Sequence, residues 1–208
     1  ETQILRSDLD SLSPINLSLM PSTFDKILKP NDLSDIIWFI KNKKSDDSLV
    51  LFDDESRFAE SLNSGKGKVS INEDDCISGK ACLTVSGFQR YSSQLPGWKF
   101  NVRKNPKLKD EFRYIRIAMK AADAKGMMIE FADKGKFPPE NKAVRTYYVG
   151  DNSTGWKSNQ ISKTLPLEWK SYTIDLWKDN GDFTITGIAL TTMGGKGSYD
   201  KIELLRGL

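Results

Sequence analysis

Apolar residues along this chain fall into two spacing regimes. Up to about residue 44 the spacing is that of helix and turn. Leu33, Ile36, Ile37 and Ile40 recur three and four residues apart, which puts them on one face of a helix. Asn31 stands where an N-cap belongs, and Lys41, Lys43 and Lys44 follow where positive charge suits a helix C-terminus. The pattern predicts a helix over about 32–41, with Pro30 stopping whatever precedes it. From Leu49 onward, short apolar runs alternate with Gly, Pro, Asn and Asp. They fall at 49–52, 68–71, 81–85, 112–119, 127–131, 144–149, 169–176, 183–190 and 199–205. About nine such segments predict a mainly β chain, an antiparallel sandwich with a short helical piece in front of it. In the 112–119 run, alternation assigns Ile115 and Ile117 to the core face and Tyr114 and Arg116 to the opposite one. The polar, aperiodic stretch 41–48 reads as a linker, so the expected domains are 1–44 and 45–208. The first is too short to bury an adequate core alone and must dock on something.

Composition narrows the chemistry. Histidine is absent from all 208 residues, and there are two cysteines. That removes the Ser-His-Asp triad, the Cys-His dyad, His-ligated zinc, a proximal haem histidine and a four-cysteine metal site. Carboxylates and lysines are what remain for catalysis. Glu130, Asp133, Glu140, Asp151 and Asp175 are available for a glycosidase pair, but none stands in a diagnostic motif. The expectation is therefore no enzyme, but a binding module. The chain carries 31 Lys+Arg against 28 Asp+Glu, a net charge of +3, which does not argue for nucleic acid. A mean hydropathy of −0.48 and the lack of a long uncharged apolar run give no transmembrane segment. The chain begins at Glu1 without a basic and apolar leader, so any signal peptide is expected to be removed or to lie upstream.

The order of the β segments resembles the galactose-binding-like jelly roll of many carbohydrate-binding modules. The residues carrying the resemblance are Phe52-Asp53-Asp54, Ser78-Gly79-Lys80 leading into Leu83-Thr84-Val85, Trp169-Lys170-Ser171-Tyr172, Gly187-Ile188-Ala189-Leu190, and the closing Ser198 to Leu204. It covers roughly 49–208, and its fold would be an antiparallel jelly-roll β-sandwich. Ser18-Leu19-Met20-Pro21, the Lys29-Pro30 turn and the helix after it resemble the C-terminal end of a planctomycete-type cytochrome c module. In that family the methionine before the proline is the distal haem ligand, a role that would fall on Met20 if an upstream haem domain were supplied. The Cys-x-x-Cys-His attachment motif is missing, so no haem is expected on this chain alone. The implied neighbours are an upstream haem domain or electron-transfer partner.

The jelly-roll resemblance implies a structural Ca²⁺, an ion that takes several oxygen ligands. The matching positions are Asp53, Asp75, the Lys80 carbonyl and Asp200; read without the resemblance, Asp53-Asp54 and Asp74-Asp75 are ordinary turn carboxylates. A glycan face needs rings that stack on sugar C–H faces and polar groups at the hydroxyls. Tyr91, Trp98, Tyr147, Tyr148 and Trp156, with Arg90, Arg145 and Asn159, sit in or beside loop-like stretches. Arg90, Tyr91, Trp98, Arg145, Tyr147 and Trp156 form the candidate ligand set; the competing reading makes such rings core packing, the role assigned to Trp169 and Trp177. Lys99, Arg103, Lys104, Lys107 and Lys109 form a basic run that suits an anionic polysaccharide or a solvated edge. Cys76 and Cys82 flank a Ser-Gly turn that can bring them within reach of a disulfide, as suits an exported protein. Two unbridged buried thiols, or a redox pair, remain open. The reading that results is a carbohydrate-binding module of an exported, periplasmic or extracellular, cytochrome-associated protein. A docking domain that binds no sugar is the alternative.

Overall fold

A computed structural model of the chain describes residues 47–63 and 68–208. The chain divides into two units, Glu1–Lys44 and Ser45–Leu208. The helix expected over 32–41, Met20 and the cytochrome-like stretch lie outside the described residues.

From Ser48 the chain forms β1 (Ser48–Phe52), α1 (Ser56–Asn63), β2 (Val69–Asn72) and β3 (Cys82–Ser86). Next come β4 (Phe100–Val102), β5 (Glu111–Phe112), β6 (Tyr114–Ala121) and β7 (Gly126–Asp133). The rest is β8 (Thr146–Gly150), β9 (Asn159–Ser162), β10 (Lys170–Asp175), α2 (Leu176–Asn180), β11 (Phe183–Met193) and β12 (Lys196–Leu205). Two six-stranded sheets result. The first runs β10-β6-β12-β3-β2, with β1 paired to the far end of β12; the second runs β5-β4-β11-β7-β8-β9. Most pairs are antiparallel, but β4–β5 and β8–β9 are parallel. Among the described residues no helix is long and apolar enough to cross a membrane.

The inner faces of both sheets merge into one core. Ile115, Ile117 and Met119 of β6, with Leu83 and Val85 of β3, meet Met127, Ile129 and Phe131 of β7 and Ile185, Ile188 and Leu190 of β11. The face read from alternation in β6 holds, because a strand covered on one side must repeat at period two. Tyr199 of β12 ties the layers. Its hydroxyl accepts the Met128 amide at 3.2 Å and donates to the Thr191 carbonyl at 2.7 Å.

Three departures from the sequence pattern have physical causes. Helix α1 falls where only β was expected, because Phe58, Ala59 and Leu62 form a short apolar stripe that caps the core. Asn63 closes it by accepting the Val69 amide at 2.8 Å and donating to the Val69 carbonyl at 2.7 Å. Strands β4, β5 and β9 carry too few residues to show a period. In β12 a bulge lies between Asp200 and Glu203, with Lys201 at φ 47°. It absorbs one residue, so that Tyr199, Ile202 and Leu204 all stay in the core.

Candidate functional site

The outer face of the second sheet should be polar if it met water alone. Instead Met128, Glu130, Ala132, Thr146, Ala189 and Thr191 on it are buried. The cover comes from the segment that links β3 to β4. It runs beside the upper half of β11, beyond the reach of the short β4. The Thr192 amide donates to Gly87 O at 3.1 Å, the Gln89 amide to Thr191 Oγ1 at 3.3 Å, and the Leu95 amide to Thr186 O at 2.8 Å. Gly187 makes the approach possible: a Cβ there would overlap the Ser92 carbonyl oxygen and Ser93.

This segment carries Arg90 across to β7. The Arg90 guanidinium donates through Nε to Glu130 Oε2 at 3.0 Å and Oε1 at 3.2 Å, and through Nη2 to Oε1 at 2.6 Å. Glu130 is 0% exposed, and a carboxylate in that position requires a paired cation. Thr146 Oγ1 stands 3.4 Å from the same carboxylate. Ala189 is Glu130's partner across the β7–β11 ladder, so no large side chain stands between the segment and the carboxylate.

Aromatic rings surround the guanidinium. Its carbon lies 3.6 Å from the Trp156 ring centroid and 6.0 Å from that of Phe137. Phe88 packs on Trp156 at 5.5 Å between centroids, with the planes tilted by 47°. Glu140 reaches to 3.9 Å from Arg90 Nη1. Trp156 is fixed by its own loop: its amide donates to Thr154 Oγ1 at 2.9 Å, and its carbonyl accepts from Asn152 Nδ2 at 2.8 Å. Phe88 and Tyr91 stay 51% and 41% exposed and share a pocket of about 280 Å³ with Lys68, Ser86, Gly87 and Gln89. The result is a ledge of rings on a clamped charge, with Lys68 and Ser86 at its rim and the buried Gln89 amide spent on Lys68 N and Ser86 O. That is the chemistry of stacking on an apolar ring face while meeting polar groups at its edge.

Of the six candidate ligand residues, the structure brings Arg90 and Trp156 together and leaves Tyr91 exposed beside them. The other three go elsewhere. Trp98 follows a turn of Leu95, Pro96 and Gly97, with Gly97 at φ 78° and the Trp98 amide donating to Leu95 O at 3.1 Å. That turn sends its ring onto Phe58 and Phe100, against the core. Tyr147 is a core residue whose hydroxyl accepts from Asn180 Nδ2 at 2.7 Å; burial pushes its phenol up. Arg145, at φ 53°, donates to Phe131 O and lies 3.7 Å from Asp133. Trp177 packs against the core, whereas Trp169 stays outside it and donates Nε1 to Asp75 O at 2.9 Å. Sequence reasoning missed Phe88 and Phe137, and named Glu130 and Glu140 only as carboxylates available for hydrolysis, not as partners of Arg90. Glu130 had one signal: a lone carboxylate inside the apolar run Met127 to Ala132.

Of the expected calcium positions, the three carboxylates Asp53, Asp75 and Asp200 are not all grouped together. Asp200 is buried, and the amides of Ile77, Ser78 and Lys201 donate to its carboxylate at 3.0, 3.1 and 2.7 Å. Burial raises its carboxyl above the ordinary value, and the nearby charge of Asp53 adds to this. Asp53 Oδ1 is buried without a hydrogen-bond partner. Asp75, however, turns to Lys120 at 2.9 Å. The Lys80 amide goes to Asp54 Oδ1 at 2.6 Å. Among the described residues, no three His, Cys, Asp or Glu side chains are grouped to hold a metal ion. A two-carboxylate pair, Asp53 with Asp200, is what the fold assembles.

The bridge expected between Cys76 and Cys82 is not formed; both are unbridged thiols. The loop between them folds Cys76 back over the end of β2, with its Sγ 3.3 Å from Asn72 O. Of the five carboxylates considered for hydrolysis, Glu130 is paired with Arg90, Asp133 with Arg145, and Asp175 with Arg113 at 2.6 Å.

No protein-family model matches the chain, and no curated protein does. Among solved structures, the glycoside hydrolase domain of Endo-D from Streptococcus pneumoniae R6 is similar at a TM-score of 0.42 and 14% identity. That match covers 77% of this chain and 21% of the other, a part of a much larger protein. A xylan-binding domain of CBM22 is similar at a TM-score of 0.34 and 13% identity, over 69% of this chain and 85% of that one. The CBM22-1 xylan-binding domain of Paenibacillus barcinonensis Xyn10C is similar at 0.28 and 15% identity, with the same two coverages.

Proposed function

We propose that the β-sandwich is a non-catalytic carbohydrate-binding module. Its ligand is a polysaccharide, held on the ledge of Tyr91, Phe88, Trp156 and Phe137. The observation that carries the reading is the pair of exposed rings, Phe88 and Tyr91, continuous with a Trp156 fixed on the Arg90–Glu130 clamp. A rigid ring costs little ordering entropy on binding, so a ledge of this kind suits a long, repetitive ligand. A docking domain would present a flat apolar patch with its aromatics buried; these rings are exposed and have polar neighbours. A polysaccharide ligand also implies a protein working outside the cell that made it.

The test is affinity electrophoresis and calorimetry of the full chain against a polysaccharide panel. Xylan, named for two of the matched structures, comes first, with other β-1,4 polymers and a uronic-acid polymer beside it. Binding to at least one polymer, weakened tenfold or more by Trp156→Ala and by Phe88→Ala, is the expected result. No binding across the panel, or binding untouched by both substitutions, refutes it.

A structural calcium ion belongs to the same proposal, at Asp53 and Asp200 without Asp75. Oxygen donors of this kind suit Ca²⁺, and the Asp53 Oδ1 that lacks a hydrogen-bond partner supports the reading. Calcium is expected to raise the Tm and EDTA to reverse the rise; an unchanged Tm rejects the ion.

A further inference from the structure

On the outer face of the first sheet, away from the ring ledge, lie two thiols. Cys82 opens β3 directly opposite Asn72, the last residue of β2. Between them residues 73–81 fold over the sheet. The loop is pinned from both sides. Asp200 takes the amides of Ile77 and Ser78, and Asp54 takes those of Lys80 and Ala81. Asp75, at φ 57°, turns the chain back so that Cys76 sits above the final strand pair. Cys76 Sγ lies 3.3 Å from Asn72 O and 3.8 Å from Asp74 O. Cys82 Sγ lies 3.9 Å from the same Asp74 carbonyl and 3.8 Å from Asp75 O. Two thiols thus converge on one carbonyl oxygen, in a loop whose backbone is already fixed. They differ in access: Cys76 is half-buried, Cys82 fully buried.

We propose that Cys76 and Cys82 are a modification site, at which a low-molecular-weight disulfide closes an intramolecular bridge across this loop. The Cys76 thiolate attacks one sulfur of the small disulfide. A mixed disulfide forms on Cys76, and one small thiolate leaves. The Cys82 thiolate then attacks Cys76 Sγ, which forms the Cys76–Cys82 bond and expels the second small thiolate. The protons from the two cysteines pass to the two leaving thiolates. Two protein thiols are oxidised and one small disulfide is reduced. Order follows access, because the buried Cys82 cannot meet an external reagent. The bridge would lock the residues that hold Asp200 and receive Trp169 Nε1.

The experiment treats the full chain with oxidised glutathione, then alkylates it and weighs it. Wild type should lose both alkylatable thiols and gain no glutathione. Cys82→Ser should stop at one glutathione on Cys76, and Cys76→Ser should stay unmodified. The closed form should melt about 5 °C higher than the reduced form. Persistent thiols, a stable glutathione adduct on wild type, a covalent dimer, or a Tm that does not rise would each overturn the proposal.

Discussion

Replacing Arg90 with methionine tests the clamp directly. The substitution keeps most of the aliphatic stem under Trp156 and removes the guanidinium. Glu130 would then be fully buried, with the Thr146 hydroxyl at 3.4 Å as its remaining side-chain partner. Removing one member of a buried ion pair costs about 3–5 kcal/mol, mainly because the other charge is left uncompensated. At 2–4 °C per kcal/mol for a unit of this size, the Tm should fall by roughly 6–20 °C. Arg90 keeps 20% side-chain exposure, so water reaches the vacated space and the lower half of that range is expected. The double substitution Arg90→Met with Glu130→Met removes both charges from a layer that already holds Met128, Ala132 and Ala189. It should recover most of the loss, since an apolar pair often replaces a buried ion pair at little cost. Urea denaturation followed by tryptophan fluorescence, run on the two single variants and the double, gives the coupling energy. If Arg90→Met costs less than about 1 kcal/mol, or the single losses simply add in the double variant, Glu130 does not depend on Arg90 and the clamp is wrong.

Other outcomes follow from the same geometry. Burial by itself would raise the Asp175 carboxyl, but the Arg113 guanidinium and the Lys178 amide hold it below the ordinary value. Its folded pKa is therefore depressed. The stabilisation is complete above the unfolded value and is lost as pH falls through the folded one. Asp175→Asn, which can still cap α2, should flatten the loss of stability between about pH 5 and pH 2; an identical acid limb would show that the ion pair contributes nothing. Gly187→Ala should push the segment bearing Arg90 off β11 and cost about 1–3 kcal/mol, read by urea denaturation. A neutral result would mean that the segment does not need this close approach.

Strand positions were legible because half-buried strands must alternate. Ile115 and Ile117 against Tyr114 and Arg116 is such a case, and the pattern alone sorts them. The candidate site was legible only in part. Arg90 and Trp156 were named from residue type and loop context, but so were Trp98 and Tyr147, which serve the core. A tryptophan after Pro-Gly and a tryptophan after Thr-Gly look alike in sequence. What separates them is where each turn aims its ring, and that depends on packing partners far along the chain. The Asp75 carboxylate illustrates the same point. It stands at an expected ligand position, yet Lys120 of β6, folded beside it, draws it away.

The sequence by itself determined a mainly β chain, the faces of its longer strands, and the absence of histidine chemistry. Those follow from local periodicity and from inventory, which need no knowledge of neighbours. The tertiary structure decided the rest. Pairing order put β7 beside β11, and so brought Glu130 within reach of an arginine 40 residues earlier. The β12 bulge let Tyr199 and Ile202 share a core that strict alternation would deny them. Contacts between distant segments are set by which strands pair and where a bulge shifts the register, and a linear pattern of apolar and polar residues carries neither.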